Sequence, residues 1–320
     1  MTYLVTGATG FIGANIVEQL SGTGETVIAL SNVAPSERQQ RMAAAGTGRV
    51  LYVRGDVRDQ TALEALIDTH GVDRMIHAAA VTSNADREKT AGPMIVDVNM
   101  VGAAAAATAA SNKRLKRFVL VGSAGVFSAF DLPDGSIVEE TQPHKVDTLY
   151  GIGKSAAEGI VRRICTLNDQ PFVIGRVATA FGPWEHDSGY RDTLSPILQI
   201  TTKARAGEAA ILAADKTSNW HYSRDACAAL ITLAQAEAPQ FADYNLGPEA
   251  AWPLSGWCSR LAARYPGFRF EISDGSNIEL YGSNDGALLS HDRYDEEFGP
   301  TSRFDLDRAF EDYMKWLEAA

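Results

Sequence analysis

Short apolar runs alternate along this chain with longer stretches of helix-like patterning. The runs, at 3–6, 26–30, 50–53, 75–78, 118–121 and 172–174, are rich in Val, Ile and Leu. Strands of this kind are buried on both faces, so the pattern predicts a parallel sheet covered by helices. Right-handed crossovers then give a doubly wound α/β layer with ligands at the carboxyl ends of its strands. Beyond Arg176 the rhythm breaks down. Segments 182–190 and 277–302 are rich in Gly, Pro, Asp and Ser and read as long loops. Helical patterning returns at 224–237 and 254–264, and 305–319 reads as an amphipathic helix carrying Phe310, Met314 and Leu317. The expected division is a main domain over 1–182 and a smaller, loop-rich C-terminal lobe over 183–320. Residues 224–247 are expected to return to the main domain through a strand at 243–246.

The first turn carries chemistry. YLVTGATGFIG sets Gly7, Gly10 and Gly13 between the first strand and the first helix. Gly7 permits a tight turn, Gly10 a close approach of backbone to a pyrophosphate, and Gly13 close helix–strand packing. The N–H groups of Phe11 and Ile12, with the helix dipole, then meet the phosphates. A glycine triplet alone is weak evidence, but one preceded by a strand and followed by a helix is the Rossmann-type dinucleotide fingerprint. The main domain therefore reads as dinucleotide-binding, with NAD or NADP as cofactor. The second strand ends in Ser31-Asn32, where an NAD site often places a carboxylate on the adenosine ribose. Ser31 brings no charge against a 2′-phosphate, and Arg38 and Arg41 follow, so tolerance of NADP is expected. Asp56-Val57 is placed to hold the adenine edge.

Tyr150 and Lys154 stand four apart in YGIGKSAAEGIV, which patterns as a helix over 149–165 and puts both side chains on one face. A phenol is a weak base at neutral pH, and a neighbouring ammonium favours the phenolate, as a proton-transfer group requires. Ser123 closes the fifth strand in FVLVGSAGVF and offers a hydroxyl to a substrate oxygen.

The motifs TGATGFIG, GDVRD, HAAA, the Asn99 region, GSAGVF, YGIGK and FGP occur in the order that characterises the extended short-chain dehydrogenases/reductases. The chain resembles this NAD-dependent epimerase/dehydratase family most specifically up to Pro183. The resemblance implies an enzyme in which Ser123, Tyr150 and Lys154 are catalytic and Lys154 also holds the nicotinamide ribose. It implies cofactor contacts at Gly7, Gly10, Gly13, Asp56, Val57 and Ala78. Phe11, Ile12, Ser31, Asn32, Arg38, Ala79, Ala80, Asn99 and Val177 complete the cofactor candidates. Thr82, Ser123, Ala124 and Thr179 are the substrate candidates. Against the pattern of the UDP-galactose 4-epimerases, Ser31 replaces an aspartate, Thr179 an asparagine and Phe127 a tyrosine. Ser218 or Asn219 stands where an arginine would clamp the UDP phosphates. Those departures favour a small hydroxylated or carboxylated substrate over a nucleotide sugar.

The leading expectation is an NAD(P)-dependent dehydrogenase or reductase acting on a small carbonyl or alcohol, such as a sugar or sugar acid. The rivals are a sugar 4-epimerase with tightly bound NAD and a non-catalytic, cofactor-sensing protein on the same fold. Composition narrows the partners. The 320 residues carry a net charge of −11, which argues against a nucleic-acid surface and gives no attraction to anionic lipid. Three separated cysteines, Cys165, Cys227 and Cys258, and the absence of room for a leader before the glycine loop, point to the cytoplasm. His70, His77 and His144 lack metal-ligand spacing, so no metal is expected. The alanine run 103–107 reads as a core helix rather than a membrane span. A homodimer is expected through the helices of Asn99 and Tyr150, with an apolar stripe at Val98, Val101 and Ala105.

Overall fold

The computed structural model describes residues 1–128, 136–280 and 288–319. Among these, seven strands form one parallel sheet: β1 (Thr2–Thr6), β2 (Thr26–Ser31), β3 (Arg49–Arg54), β4 (Arg74–His77), β5 (Arg117–Ser123), β6 (Phe172–Val177) and β7 (Asp243–Leu246). The spatial order is β7-β6-β5-β4-β1-β2-β3, so the winding reverses between β1 and β4. The carboxyl ends of those two strands diverge there and open a crevice. β7 is the returning strand expected at 243–246, in parallel register with β6 from Asp243↔Ile174 to Leu246↔Val177.

Helices cover both faces. α1 (Phe11–Gly22) and α8 (Ser223–Gln235) pack with Tyr3, Val5, Val119 and Tyr244 in one core layer. α3 (Gln60–His70), α5 (Gly102–Asn112) and α6 (Leu149–Leu167) bury Leu63, Ala106, Ala110 and Val161 against Leu4, Phe118 and Leu120 in the other. Of two further helices, α2 (Glu37–Ala45) packs on α1 and β3, and α4 (Ala85–Val96) lends Met94 to the crevice. Their starts follow local chemistry. Ser36 and Gln39 make a reciprocal capping box at α2, and the Asn84 side chain accepts from the N–H groups of Asp86 and Arg87 at α4.

From Ala85 to Asn112 the chain is helical apart from a kink at Ala91, before Pro93, and by length and composition this run could cross a membrane. Its alanine face is buried in the second core layer: Ala103, Ala106, Ala107, Ala109 and Ala110 are all fully covered. Of the stripe expected at the dimer face, Ala105 is buried in this core and Val98 lines the crevice, leaving Val101 exposed.

The second lobe has its own aromatic core, in which Phe181, Trp220, Trp257, Phe268, Phe310 and Tyr313 are buried together. Helices α7 (Pro196–Ala206), α9 (Leu254–Arg264) and α11 (Leu306–Glu318) supply most of it, and a short α10 (Asp292–Phe298) packs near β7. Part of the loop expected over 277–302 falls outside the described residues, and α10 occupies part of the rest. Trp220 is a packing residue here, with its indole N–H donated to the Trp252 carbonyl. Arg293 pairs with Asp243 at the start of β7 (2.8 Å).

Candidate active site

The crevice between β1 and β4 is the mouth of a cleft of about 720 Å³. Its first wall is the glycine turn. Gly7 holds φ +66, a region a side chain rarely adopts, and a Cβ there would fall 2.7 Å from Ala79 Cα. A Cβ on Gly13 would fall 2.1 Å from the Gly7 carbonyl oxygen. Gly10 begins α1 with extended backbone and no side-chain cap, so the first N–H groups of α1 are left for a ligand. The cradle is one that glycine alone permits, and it fits a dinucleotide diphosphate.

Beyond that wall the residues sort by position along the cleft. Ser31, Asn32, Asp56 and Val57 line the end toward β2 and β3. Ser31 Oγ lies 2.7 Å from Thr9 Oγ1 and accepts from the Val33 N–H. Asp56 accepts from the Arg58 side chain at 2.5 Å and from its backbone N–H at 2.9 Å, and the bonds to Arg58 hold its carboxyl below the usual carboxylate range. Ala78, Ala79, Ala80 and Thr82 form the floor after β4, and Val177, Thr179, Ser123 and Ala124 the opposite end.

Two expected cofactor residues are not brought to the cleft wall. Arg38 points away: its guanidinium stacks 3.5 Å from the Trp316 ring centroid and donates to the Trp316 carbonyl on α11. An arginine face gains more on an indole than in open water, so Arg38 is held away from the end of the cleft that Ser31 and Asn32 line. Arg41 pairs with Glu37 at the surface. Asn99 is 3% exposed and acts indirectly. A π-helical turn, Asp97–Val101, turns its amide inward, where it donates to the Val81 carbonyl (2.9 Å) and accepts from the Val81 N–H (2.8 Å). It fixes the loop after β4.

At the end of the cleft that Ser123 lines, Thr148 caps α6 by accepting from Gly151, and Glu88 accepts the Leu149 N–H at 2.8 Å. These contacts set the first turn, where Tyr150 stands. The Tyr150 ring lies over Gly125: a Cβ there would sit 3.3 Å from Tyr150 Cε1 and 3.2 Å from Ser123 Oγ. Ser123 Oγ accepts from the Gly125 N–H at 3.0 Å, which holds it beside that ring. One turn on, buried Lys154 donates to the Val121 carbonyl at 2.9 Å, with Nζ 5.9 Å from the Tyr150 ring centroid. Phe127, four residues after Ser123, is buried and edge-on to His144.

Below Lys154, His77 lies fully buried with Nδ1 2.9 Å from Thr6 Oγ1, and its pKa is pushed down to about 3, first by burial and then by Lys154. Burial lowers His221 similarly, to about 3. Both are neutral when folded, so between about 6.5 and about 3 the unfolded chain binds protons the folded chain refuses. Stability is full above about pH 6.5 and falls as the pH drops, by up to about 1.4 kcal/mol per unit for each histidine. Urea unfolding should show this decline; a profile flat between about pH 7 and about pH 5 would contradict it.

The loop after Pro183, whose His186 and Arg191 the sequence offers as pocket residues but more readily as solvated ones, crosses the mouth of the cleft. His186, Ser188, Tyr190, Arg191 and Thr193 all line it.

Comparison with known proteins assigns the fold. The model of the NAD dependent epimerase/dehydratase family matches residues 3–247. The chain belongs to that family. Relatives include the low-salt glycan biosynthesis protein Agl12 of Haloferax volcanii, 27% identical over 252 residues that cover 77% of each chain. A dTDP-glucose 4,6-dehydratase of Xanthomonas campestris is 26% identical, over 77% of this chain and 71% of that protein. Among solved structures, the UDP-glucose-4-epimerase of Stenotrophomonas maltophila, with NAD and formylated UDP-arabinopyranose, superposes with a TM-score of 0.84. It is 21% identical and covers 100% of this chain and 98% of that one. This epimerase/dehydratase-family protein thus shares the whole two-lobed fold with such structures.

Proposed function

We propose that this protein is an NAD-dependent oxidoreductase acting on a small hydroxyl or carbonyl substrate, with Ser123, Tyr150 and Lys154 as its catalytic residues. The observation that carries the reading is the gathering of these three groups at one end of a cleft whose other wall is the glycine cradle. The cofactor, when bound, supplies the acceptor or donor of a hydride. Gly7, Gly10 and the N–H groups of Phe11 and Ile12 hold its diphosphate, and Ser31, Asn32, Asp56 and Val57 its adenosine. Ser123 orients the substrate oxygen, and Tyr150 takes or gives that oxygen's proton. Lys154 supplies the charge that makes the phenol able to do so.

NAD is preferred over NADP, because Arg38 is committed to Trp316. Relatives named as dehydratases act on nucleotide sugars, and two observations support a different course here. Elimination of water needs a second acid or base beside the redox pair, but Ala124 and Gly125 follow Ser123. The carboxylates among the described lining residues are Asp56, at the adenosine end, and Asp187, in the loop over the mouth. The positions where an arginine clamp was sought also differ: Ser218 pairs in a two-stranded ribbon with Trp252, and Asn219 accepts the Leu289 N–H.

The test is a panel of sugars, sugar acids, simple ketones, UDP-glucose and dTDP-glucose, followed by nicotinamide absorbance and product analysis. Net cofactor conversion with a small substrate is expected. Inversion at a sugar carbon without net conversion would move the epimerase reading to first place, loss of water would overturn both, and no turnover with any compound would favour a cofactor sensor.

The same reading places the protein in the cytoplasm as a homodimer. Its three cysteines are buried free thiols. Val96, Val101 and Ile152 expose apolar side chains on neighbouring turns of α4, the π-helical segment and α6. Val101→Asp should convert a dimer to a monomer in sedimentation equilibrium without loss of secondary structure. A wild-type monomer at micromolar concentration would remove the dimer from the account.

A further inference from the structure

The loop over the cleft is tied down on both sides. The Tyr190 hydroxyl accepts from Asn32 Nδ2 (2.8 Å) at the adenosine end. Thr82 donates its N–H to the Tyr190 carbonyl (2.9 Å) and forms a β-bridge with Arg191 on the far side. Arg87 of α4 anchors the loop further, pairing with Asp192 and donating to the Gly189 carbonyl. Residues 189–192 therefore run across the middle of the cleft, where a dinucleotide carries its diphosphate.

Arg191 is the residue that this path delivers to the glycine wall. Its Cζ lies 5.1 Å from the ring centroid of Phe11, the first residue of α1. Glu185, whose side chain is fully buried, accepts from Arg191 Nη2 at 2.9 Å and from Ser195 N and Oγ at 2.7 and 2.6 Å. This carboxylate fixes the direction of the guanidinium. A guanidinium carries five N–H donors, enough to serve a carboxylate along one edge and phosphoryl oxygens along another. We propose that Arg191, carried across from the second lobe, binds the diphosphate of the dinucleotide and straps it against the start of α1. The proposal rests on the reading of the cleft as an NAD site. The second lobe then contributes to cofactor binding as well as to the substrate, and the acidic chain places a cation where the ligand's two negative charges lie.

The experiment is calorimetric titration of the full chain with NAD, ADP-ribose and adenosine, for wild type, Arg191→Gln and Arg191→Lys. Losing charge-assisted bonds to phosphate should weaken NAD and ADP-ribose about ten- to a hundredfold in Arg191→Gln. Adenosine, which lacks the diphosphate, should change less than about twofold, and Arg191→Lys should fall between. Removing Arg191 leaves Glu185 buried without its ion pair, so Glu185→Gln/Arg191→Gln, which deletes both charges, is measured alongside. The same selective loss in that variant supports the proposal even if the single variant folds poorly. Equal weakening of all three ligands would assign Arg191 a purely structural role and overturn it, as would unchanged NAD affinity. A wild-type protein that binds neither NAD nor ADP-ribose would instead overturn the cofactor reading itself.

Discussion

Tyr150→Phe is expected to lower kcat by at least about a hundredfold while NAD affinity stays within about threefold of wild type. The change deletes one hydroxyl and keeps the ring that packs over Gly125 beside Ser123. The fold, the cleft and the glycine cradle are untouched, so a loss of turnover would report the missing proton carrier. Ser123→Ala should lower kcat less, because it removes an orienting hydroxyl whose present partner is the Gly125 N–H. Lys154→Met should damage both parameters. It removes a buried ammonium hydrogen-bonded to Val121, and with it the electrostatic support of the phenolate. A Tyr150→Phe enzyme retaining more than about a tenth of wild-type turnover would sink the catalytic assignment.

Gly13→Ala is expected to have the second large effect, this time on binding and stability together. The added methyl would lie 2.1 Å from Gly7 O, 2.7 Å from Gly7 C and 2.8 Å from Ala8 Cα. All three are backbone atoms, so no side chain can swing aside; either α1 or the turn must move. Overpacking of this kind destabilises by about 1–3 kcal/mol. A displaced turn also loses its line of N–H donors, so NAD binding should weaken by more than about a hundredfold. Gly22→Ala, at the other end of α1, is the control. A Cβ there meets nothing within 4 Å, and alanine is favoured over glycine in a helix by up to about 1 kcal/mol. Thermal unfolding should therefore move in opposite directions for the two variants. A Gly13→Ala protein with unchanged melting and cofactor affinity would show that the turn does not pack as described.

The parts of this molecule that could be read from the chain are those whose cause is local. Strands buried on both faces announce themselves as apolar runs, and all six expected between residues 3 and 174 join one parallel sheet, each within a few residues of its reading. The glycine turn and the Tyr150–Lys154 spacing are legible because one tight turn and one helical repeat impose them. What could not be read depends on distant partners. Arg38 follows the second strand as a phosphate-binding arginine would, but the residue that claims it, Trp316, lies 278 positions later. The inward turn of Asn99 comes from a π-helical segment after Pro93, and no periodicity marks it. Arg191 reads from the sequence as a solvated loop residue because the partners that hold it, Glu185, Thr82 and Phe11, are brought to it only by the fold.

Hydrogen–deuterium exchange with and without NAD tests the central claim most directly, because it reports where the cofactor sits without requiring the substrate. Saturating NAD is predicted to slow exchange in four places: the glycine turn at 7–13, the ends of β2 and β3 at 31–33 and 55–58, the floor at 78–82, and the β5 end at 121–125. The loop at 183–195 should gain protection with them. Protection confined to other regions, or none at any concentration up to about a millimolar, would contradict the account.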